Sequence, residues 1–364
     1  MKEWTDEFNP FNTWKVLFHI DKLIAISKGE FPPPITCDTD LSNACNQNCI
    51  YCNSSEFRKE TGPTILPKDH VLKIANVYKD WGVLSTCIGG GGEPTINPAL
   101  KDFIERVTKN DIESGVITNG VIMKDDLKKV IVESCRFLGI SFDAGDKDTY
   151  IKMRGKDDLN KVLKNMKDVA KLKAKLNSKI DFTAKILIHP FNYNKLFIAA
   201  KRAKEVGCNA VQIRPVAVDN IRGSKSDKRF HMKEYLSIIE DQVEQIYDEL
   251  EDNIFKVFAV THKFSRDLGR AIRFKKCRAT PIQAVFGADG WVYNCFNIRG
   301  LSESRICRHV PDPYEILKVW GTEQHKKVLE QIDPVNKCIR CTYNRYNAII
   351  EKAILEDNMF HKFP

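Results

Sequence analysis

The chain reads as an α/β protein, a partial (β/α)6 TIM-like barrel followed by a cysteine-rich α+β region built on a β-hairpin and a helix. Two observations predict this. Between Pro34 and Val216, short β-branched runs alternate with amphipathic helical stretches, and repeated strand–helix units build parallel sheets with right-handed crossovers. After Val216 the alternation stops and spaced cysteines take its place. Six units favour an open or partial barrel over a complete one, and in either the chemistry belongs at the C-terminal ends of the strands.

Strands are expected at 35–40, 83–89, 114–118, 137–142, 180–189 and 210–215, with helices near 67–81, 98–109, 124–133, 158–172 and 195–206. The fourth helix has the cleanest stripe, formed by Leu159, Val162, Leu163, Met166, Val169 and Ala170. Asn97 before Pro98 reads as an N-cap with proline at the first helical position, and Gly207 as a C-terminal stop. A basic, glycine-containing linker at 219–228 leads to a helix over about 231–250. A hairpin, 283–286 and 291–294, turns at Gly287-Ala288-Asp289-Gly290, where Asp-Gly is a strong turn signal. A final helix covers about 343–356. The expected organisation is an N-terminal extension (1–34), a core barrel (35–216), a linker and helix (217–253), an auxiliary region (254–346) and a C-terminal helix and tail (347–364).

The 364 residues are 43% hydrophobic and 29% charged, which excludes global disorder. No run approaches about eighteen apolar residues, so no transmembrane helix is expected. The opening Met1-Lys2-Glu3-Trp4-Thr5-Asp6 lacks the apolar stretch of a secretory signal, and a cytoplasmic location is expected. The net charge of +9 comes mostly from lysine and reads as a solvated surface. Its densest cluster, from Arg222 to Lys233 with Arg273, Lys275, Lys276 and Arg278 further on, lacks the interleaved aromatics that base stacking needs. A phosphorylated or acidic small substrate is served there as well as nucleic acid.

Twelve cysteines in a reducing compartment point to metal or redox chemistry. Cys45, Cys49 and Cys52 follow the first strand directly. Three thiolates cannot complete a tetrahedral zinc site, and they leave one iron of a [4Fe–4S] cluster without a protein ligand. Such a shell is useful only if something else binds the open iron. The run Gly89-Gly90-Gly91-Gly92-Glu93-Pro94 follows the second strand, where glycines let the backbone approach a ligand and Glu93 can accept from an ammonium. A second group, Cys277, Cys295, Cys338 and Cys341, has Gly290 between its first two members. Four thiolates suit structural zinc as well as a cluster with no open iron.

The Cys45-x3-Cys49-x2-Cys52 spacing, with the GGEP-like element after the second strand, resembles the radical S-adenosylmethionine (radical SAM) superfamily. That resemblance implies a [4Fe–4S] cluster on the three cysteines, reductive cleavage of SAM to methionine and a 5′-deoxyadenosyl radical, and hydrogen abstraction from the substrate. It also implies that Gly91, Gly92 and Glu93 receive the SAM amino group and that Tyr51 packs near the adenine. Ser141 and Asp143 resemble the ribose and carboxylate contacts, and Arg154 an arginine that pairs with the SAM carboxylate. Thr118-Asn119-Gly120 serves equally as a turn or a ligand contact. The family's G-x-I-x-G pattern on strand five is absent, with Lys185-Ile-Leu-Ile-His189-Pro190 in its place.

The second group resembles the twitch domain, a truncated SPASM extension, since Asn347 and Glu351 stand where a full SPASM domain has further cysteines. This implies an auxiliary [4Fe–4S] cluster that accepts or relays an electron, hence a net oxidation, in a pattern like that of the aminocyclitol (2-deoxy-scyllo-inosamine) dehydrogenase. The expected substrate is small, sugar-like or phosphorylated, and the expected electron donor is a flavodoxin or ferredoxin. A peptide-modifying maturase is the second enzymatic reading, weakened by the short stretch before the first strand. A molybdopterin-precursor cyclase would end in Gly-Gly, whereas this chain ends His361-Lys362-Phe363-Pro364. The non-enzymatic reading is a zinc-stabilised nucleic-acid-binding protein. Candidates for catalysis are Arg214 and His189 at strand ends, beside Gln212 and Lys185, and Cys307, whose neighbours Arg305 and Arg308 are expected to lower its thiol pKa. Cys37, Cys87, Cys135 and Cys208 read as small buried hydrophobes.

Overall fold

The computed structural model describes residues 14–216, 232–260, 271–338 and 341–355. In chain order the strands are β1 (Thr36–Thr39), β2 (Ser85–Ile88), β3 (Glu113–Thr118), β4 (Phe137–Ser141), β5 (Asp181–Ile188), β6 (Ala210–Pro215), β7 (Lys256–Ala259), β8 (Gln283–Phe286), β9 (Trp291–Tyr293) and β10 (Arg305–Arg308). The helices are α1 (Ile20–Ser27), α2 (Ser55–Thr61), α3 (Lys68–Trp81), α4 (Leu100–Lys109), α5 (Asp125–Ser134), α6 (Lys147–Arg154), α7 (Leu159–Lys175), α8 (Leu196–Glu205), α9 (Leu236–Leu250), α10 (Glu315–Val319), α11 (Glu323–Glu330) and α12 (Asn344–Ile349). The last continues into a π-helical turn, Ile350–Ile354.

All described strands join one sheet in the order β10-β9-β8-β1-β2-β3-β4-β5-β6-β7. From β8 through β7 they run parallel, and β9 and β10 fold back antiparallel. The α/β barrel is therefore as expected, with two additions. The region read as a linker and helix supplies α9 and then β7, a seventh parallel strand on the edge of β6. The hairpin's first strand, β8, does not stand apart but runs parallel to β1, with Thr36 opposite Gln283 and Thr39 opposite Phe286. Pairing gives the backbone groups of β1's outer edge, polar and otherwise open, their partners.

Helix amphipathicity sets the layers. On α4, Leu100, Phe103, Ile104 and Val107 are buried, the spacing that places four side chains on one stripe. On α7 the expected stripe buries Leu159, Val162, Met166 and Val169, with Leu163 and Ala170 half-buried beside them. Asn97 differs from expectation: α4 starts only at Leu100. The Asn97 side chain accepts from Ala99 N at 2.8 Å and donates to the carbonyls of Leu41 and Leu66, tying the pre-helix turn to the loops beside it. Gly207 takes φ +93° after α8, the left-handed turn that ends a helix. The N-terminal segment packs Val16, Leu23 and Ile26 against Ala279, Ile282 and Ile350, so α1 shares a small core with the C-terminal region. The expected linker at 219–228, the start of its helix at His231, and Glu356 lie outside the described residues.

Candidate active site

The loop between β1 and α2 carries Cys45, Cys49 and Cys52, all half-buried. It is held by α6. Asn48 N donates to Arg154 O and Ile50 N to Met153 O, both at 3.1 Å, and Gln47 Nε2 donates to Tyr150 Oη at 2.8 Å. Gly155 ends α6 at φ +72°, and a Cβ there would meet Asn48 O at 2.7 Å, so this contact needs glycine on both counts. On the other side the glycine run presses against the same loop. A Cβ on Gly92 would lie 2.2 Å from Ala44 O, while Glu93 N donates to that oxygen at 2.8 Å. The glycines thus serve loop-on-loop packing as well as a ligand's approach.

The three thiols open on one cavity with Tyr51, Arg58, Gly90, Gly91, Gly92, Glu93, Thr118, Asn119, Ser141, Arg154 and Arg214. The structure therefore brings together every residue expected around the cofactor except Asp143, which lies behind the wall. Asp143 is buried and paired with Arg154 Nη2 at 2.5 Å, accepts from Leu187 N at 2.7 Å, and takes the Tyr51 hydroxyl. Arg154 also points Nη1 at Cys49 Sγ, 3.5 Å away. Two expected ligand contacts are thus engaged with each other. The reason is dielectric: a buried guanidinium and a buried carboxylate within reach pair rather than stay separately charged. Glu93 is likewise occupied, accepting from Thr95 N, Thr95 Oγ1, Thr118 Oγ1 and Asn119 N. Burial pushes its carboxyl pKa up. Thr118-Asn119-Gly120 proves both turn and wall: Gly120 N donates to Thr118 Oγ1, while Thr118 and Asn119 line the cavity.

A second cavity, about 330 Å³, adjoins the first through Asn53, Gly90, Ile117 and Arg214. Its further lining includes Asp38 within β1 and Asp40 just after it, Cys87 on β2, Gln212 on β6, and Phe296, Arg299 and Thr342 from the C-terminal region. Arg214 stands at the junction. Lys185 donates to Gln212 Oε1 at 2.8 Å, and burial, then Arg214, lowers its pKa to about 8. His189 is buried beside the Tyr51 ring, and burial lowers its pKa to about 4, so its imidazole is neutral at pH 7. Asp38, Asp40, Arg58 and Arg299 were not singled out by sequence reasoning. The two aspartates did carry a signal: they are two residues apart, on one face of a strand that should be apolar if both its faces were packed.

In the C-terminal region Cys277, Cys295 and Cys338 share one small cluster, and Cys341 lies within electrostatic range of all three. Burial pushes the Cys277 thiol up to about 12. Cys307 does not join them. It sits on β10 opposite Val292, buried in the main core, and burial followed by Glu315 pushes its thiol up to about 12 rather than down. The expectation of a low thiol pKa fails because Arg305 and Arg308 stack on Trp291 instead. Among the described residues no three His, Cys, Asp or Glu side chains gather around a single-ion position.

Three thiols sit beside a glycine-walled cavity at the C-terminal ends of parallel strands in an α/β barrel; the donor set is soft sulfur with an incomplete shell, which fits a [4Fe–4S] cluster with one iron open. Residues 40–190 match the radical SAM superfamily, whose members use a [4Fe–4S] cluster and SAM. The chain is 25% identical over 206 residues to a probable GTP 3′,8-cyclase of Saccharolobus solfataricus, a match taking in 55% of this chain and 63% of that protein's length. The GTP 3′,8-cyclase of Helicobacter pylori is 23% identical over 320 residues, 85% of this chain and 91% of that one. Among solved structures, Streptococcus suis SuiB bound to precursor peptide SuiA superposes with TM-score 0.65 at 16% identity, covering 95% of this chain and 80% of that one. The structure of anSMEcpe with bound AdoMet gives 0.61 at 18%, covering 82% and 80%. At these identities the structural likeness speaks for the fold alone. Among the described residues no helix is long and apolar enough to cross a membrane.

Proposed function

We propose that the chain is a radical SAM enzyme that oxidises a small polar substrate held in the inner cavity, with Cys45, Cys49 and Cys52 as ligands of the SAM-binding cluster and Cys277, Cys295, Cys338 and Cys341 as ligands of an auxiliary one. When bound, the first cluster and SAM supply a 5′-deoxyadenosyl radical for hydrogen abstraction. The observation that carries the reading is the adjacency of the two cavities: the thiol-lined one opens into the polar one at Arg214. Gly90, Gly91 and Gly92 let SAM lie against backbone, Tyr51 and Ser141 flank it, and Arg154 anchors the cysteine loop through Asp143. For the auxiliary site four thiolates suit zinc as well as iron–sulfur, and the radical SAM reading of the neighbouring site favours the cluster. That supports iron–sulfur, and with it an electron sink for a net oxidation.

A peptide substrate is the second reading, favoured by the likeness to peptide-bound SuiB over nearly the whole chain. After anaerobic reconstitution about eight irons per chain are expected. Reduced protein with SAM should then release 5′-deoxyadenosine, and Cys49→Ala should abolish the release. Cys338→Ala should keep SAM cleavage and lose substrate turnover. Equal release by Cys49→Ala and wild type would overturn the assignment.

A further inference from the structure

The inner cavity carries two carboxylates that lie outside the thiol-lined cavity, and Arg214 at the junction of the two. Asp40 has no exposed surface, and its carboxylate accepts from the Gly91 backbone with no side-chain hydrogen bond to it among the described residues. Its ion pair is with Arg299 Nε at 3.0 Å, and Arg299 also faces the half-buried Asp38, so two carboxylates share one guanidinium. Burial accordingly raises Asp38 to about 6 and Asp40 to about 7. A Cβ on Gly90 would fall 1.4 Å from Asp40 Oδ1, so the glycine makes the room in which this carboxylate sits. Across the cavity the balance is reversed. Arg214 Nε is buried without an acceptor, and Lys185 stands close enough to be repelled by it. Buried polar groups without partners are expensive, and a fold keeps them where something else completes them.

We propose that the inner cavity binds a dipolar substrate, with a protonated amine seated against Asp40 and Asp38 on the β1 side and an anionic group against Arg214 on β6. The inference rests on the radical SAM reading and narrows its substrate class. An ammonium brings three donors and no acceptor, which suits the Asp40 carboxylate, to which no side chain donates a hydrogen bond among the described residues. A carboxylate or phosphate supplies what Arg214 lacks. A neutral sugar supplies neither charge. A purely structural clip between Asp40 and Arg299 would account for that contact and leave the buried Nε of Arg214 unexplained.

The test uses reconstituted holoenzyme with SAM and reductant, and the probe is a small-molecule extract of the host cells before and after N-acetylation with acetic anhydride. Untreated extract should raise 5′-deoxyadenosine formation well above that with SAM alone, and acetylation should remove the stimulation. Asp40→Asn should need about tenfold more extract for the same effect, the size expected for losing one charge-assisted hydrogen bond. Stimulation that survives acetylation, no stimulation by untreated extract, or an Asp40→Asn response equal to wild type each overturns the proposal. No 5′-deoxyadenosine in any arm, SAM alone included, sinks the radical SAM reading itself and this inference with it.

Discussion

A methyl group on Gly92 would meet Ala44 O at 2.2 Å, Asn43 C at 2.6 Å and Ser42 O at 2.7 Å, all of them backbone atoms. Backbone cannot swing aside as the end of a side chain does, so Gly92→Ala must push the cysteine loop away. The expected outcome is a folded protein, by circular dichroism, that has lost most of the iron of its SAM-binding cluster while keeping the auxiliary iron. Full iron would show that the loop tolerates the shift. At this scale the sequence was legible wherever chemistry fixes spacing: the cysteines and glycines stand at intervals that a cluster and a close loop contact require. It was not legible where a partner comes from far along the chain. Nothing near Asp40 announces Arg299, and nothing near Cys307 announces that Trp291 takes both neighbouring arginines.

Helix α6 shows how an element carries the site without being part of the chemistry. Asp146 caps it, accepting from Thr149 N at 3.0 Å, and Lys195 Nζ lies 3.3 Å from the same oxygen. Burial pushes the Asp146 carboxyl up, but the hydrogen bonds from Thr149 and Lys195 outweigh it and hold the pKa below the usual value. A carboxyl lowered in the folded state stabilises above its ordinary pKa, and that contribution fades as pH falls through the lowered value. Asp146→Ala should therefore lose about 1 kcal/mol at pH 7 in denaturant titration, with the difference from wild type shrinking below pH ~4. An unchanged midpoint at pH 7 would mean the cap is idle. Five barrel helices and six strands were readable from period, since a stripe such as Leu100, Phe103, Ile104 and Val107 admits only a helix, whereas the short α2 and α6 and the edge strand β7 went unpredicted. Starts were less so. Pro98 suits a first helical turn, yet Asn97 spends its side chain on the neighbouring loops and α4 begins later.

For the whole molecule, the decisive feature is that β8 extends the barrel sheet at β1. Period and turn signals identify the hairpin but carry no information on which edge it joins, because strand pairing across some 250 residues is set by tertiary packing rather than local pattern. Here that packing is visible: Phe286 is fully buried against Tyr78 of α3, with ring centroids 5.1 Å apart, and His309 Nε2 donates to Gly287 O while its Nδ1 accepts from His70 Nε2. The N-terminal α1 closes the other flank through Ile26 and Ile350. A boundary drawn at the change of composition is therefore expected not to separate independently folding units. If the barrel is cut off before residue 271, β1 becomes an open edge beside the exposed face of Tyr78, the condition that promotes edge-to-edge association. Two consequences are expected. The full chain should melt in one calorimetric transition, and a 14–260 fragment should be aggregated or molten, with exchangeable amides across β1. Two separate transitions, or a monomeric fragment with native-like protection in β1, would instead make the barrel autonomous and the C-terminal cysteine region an appendage docked onto it.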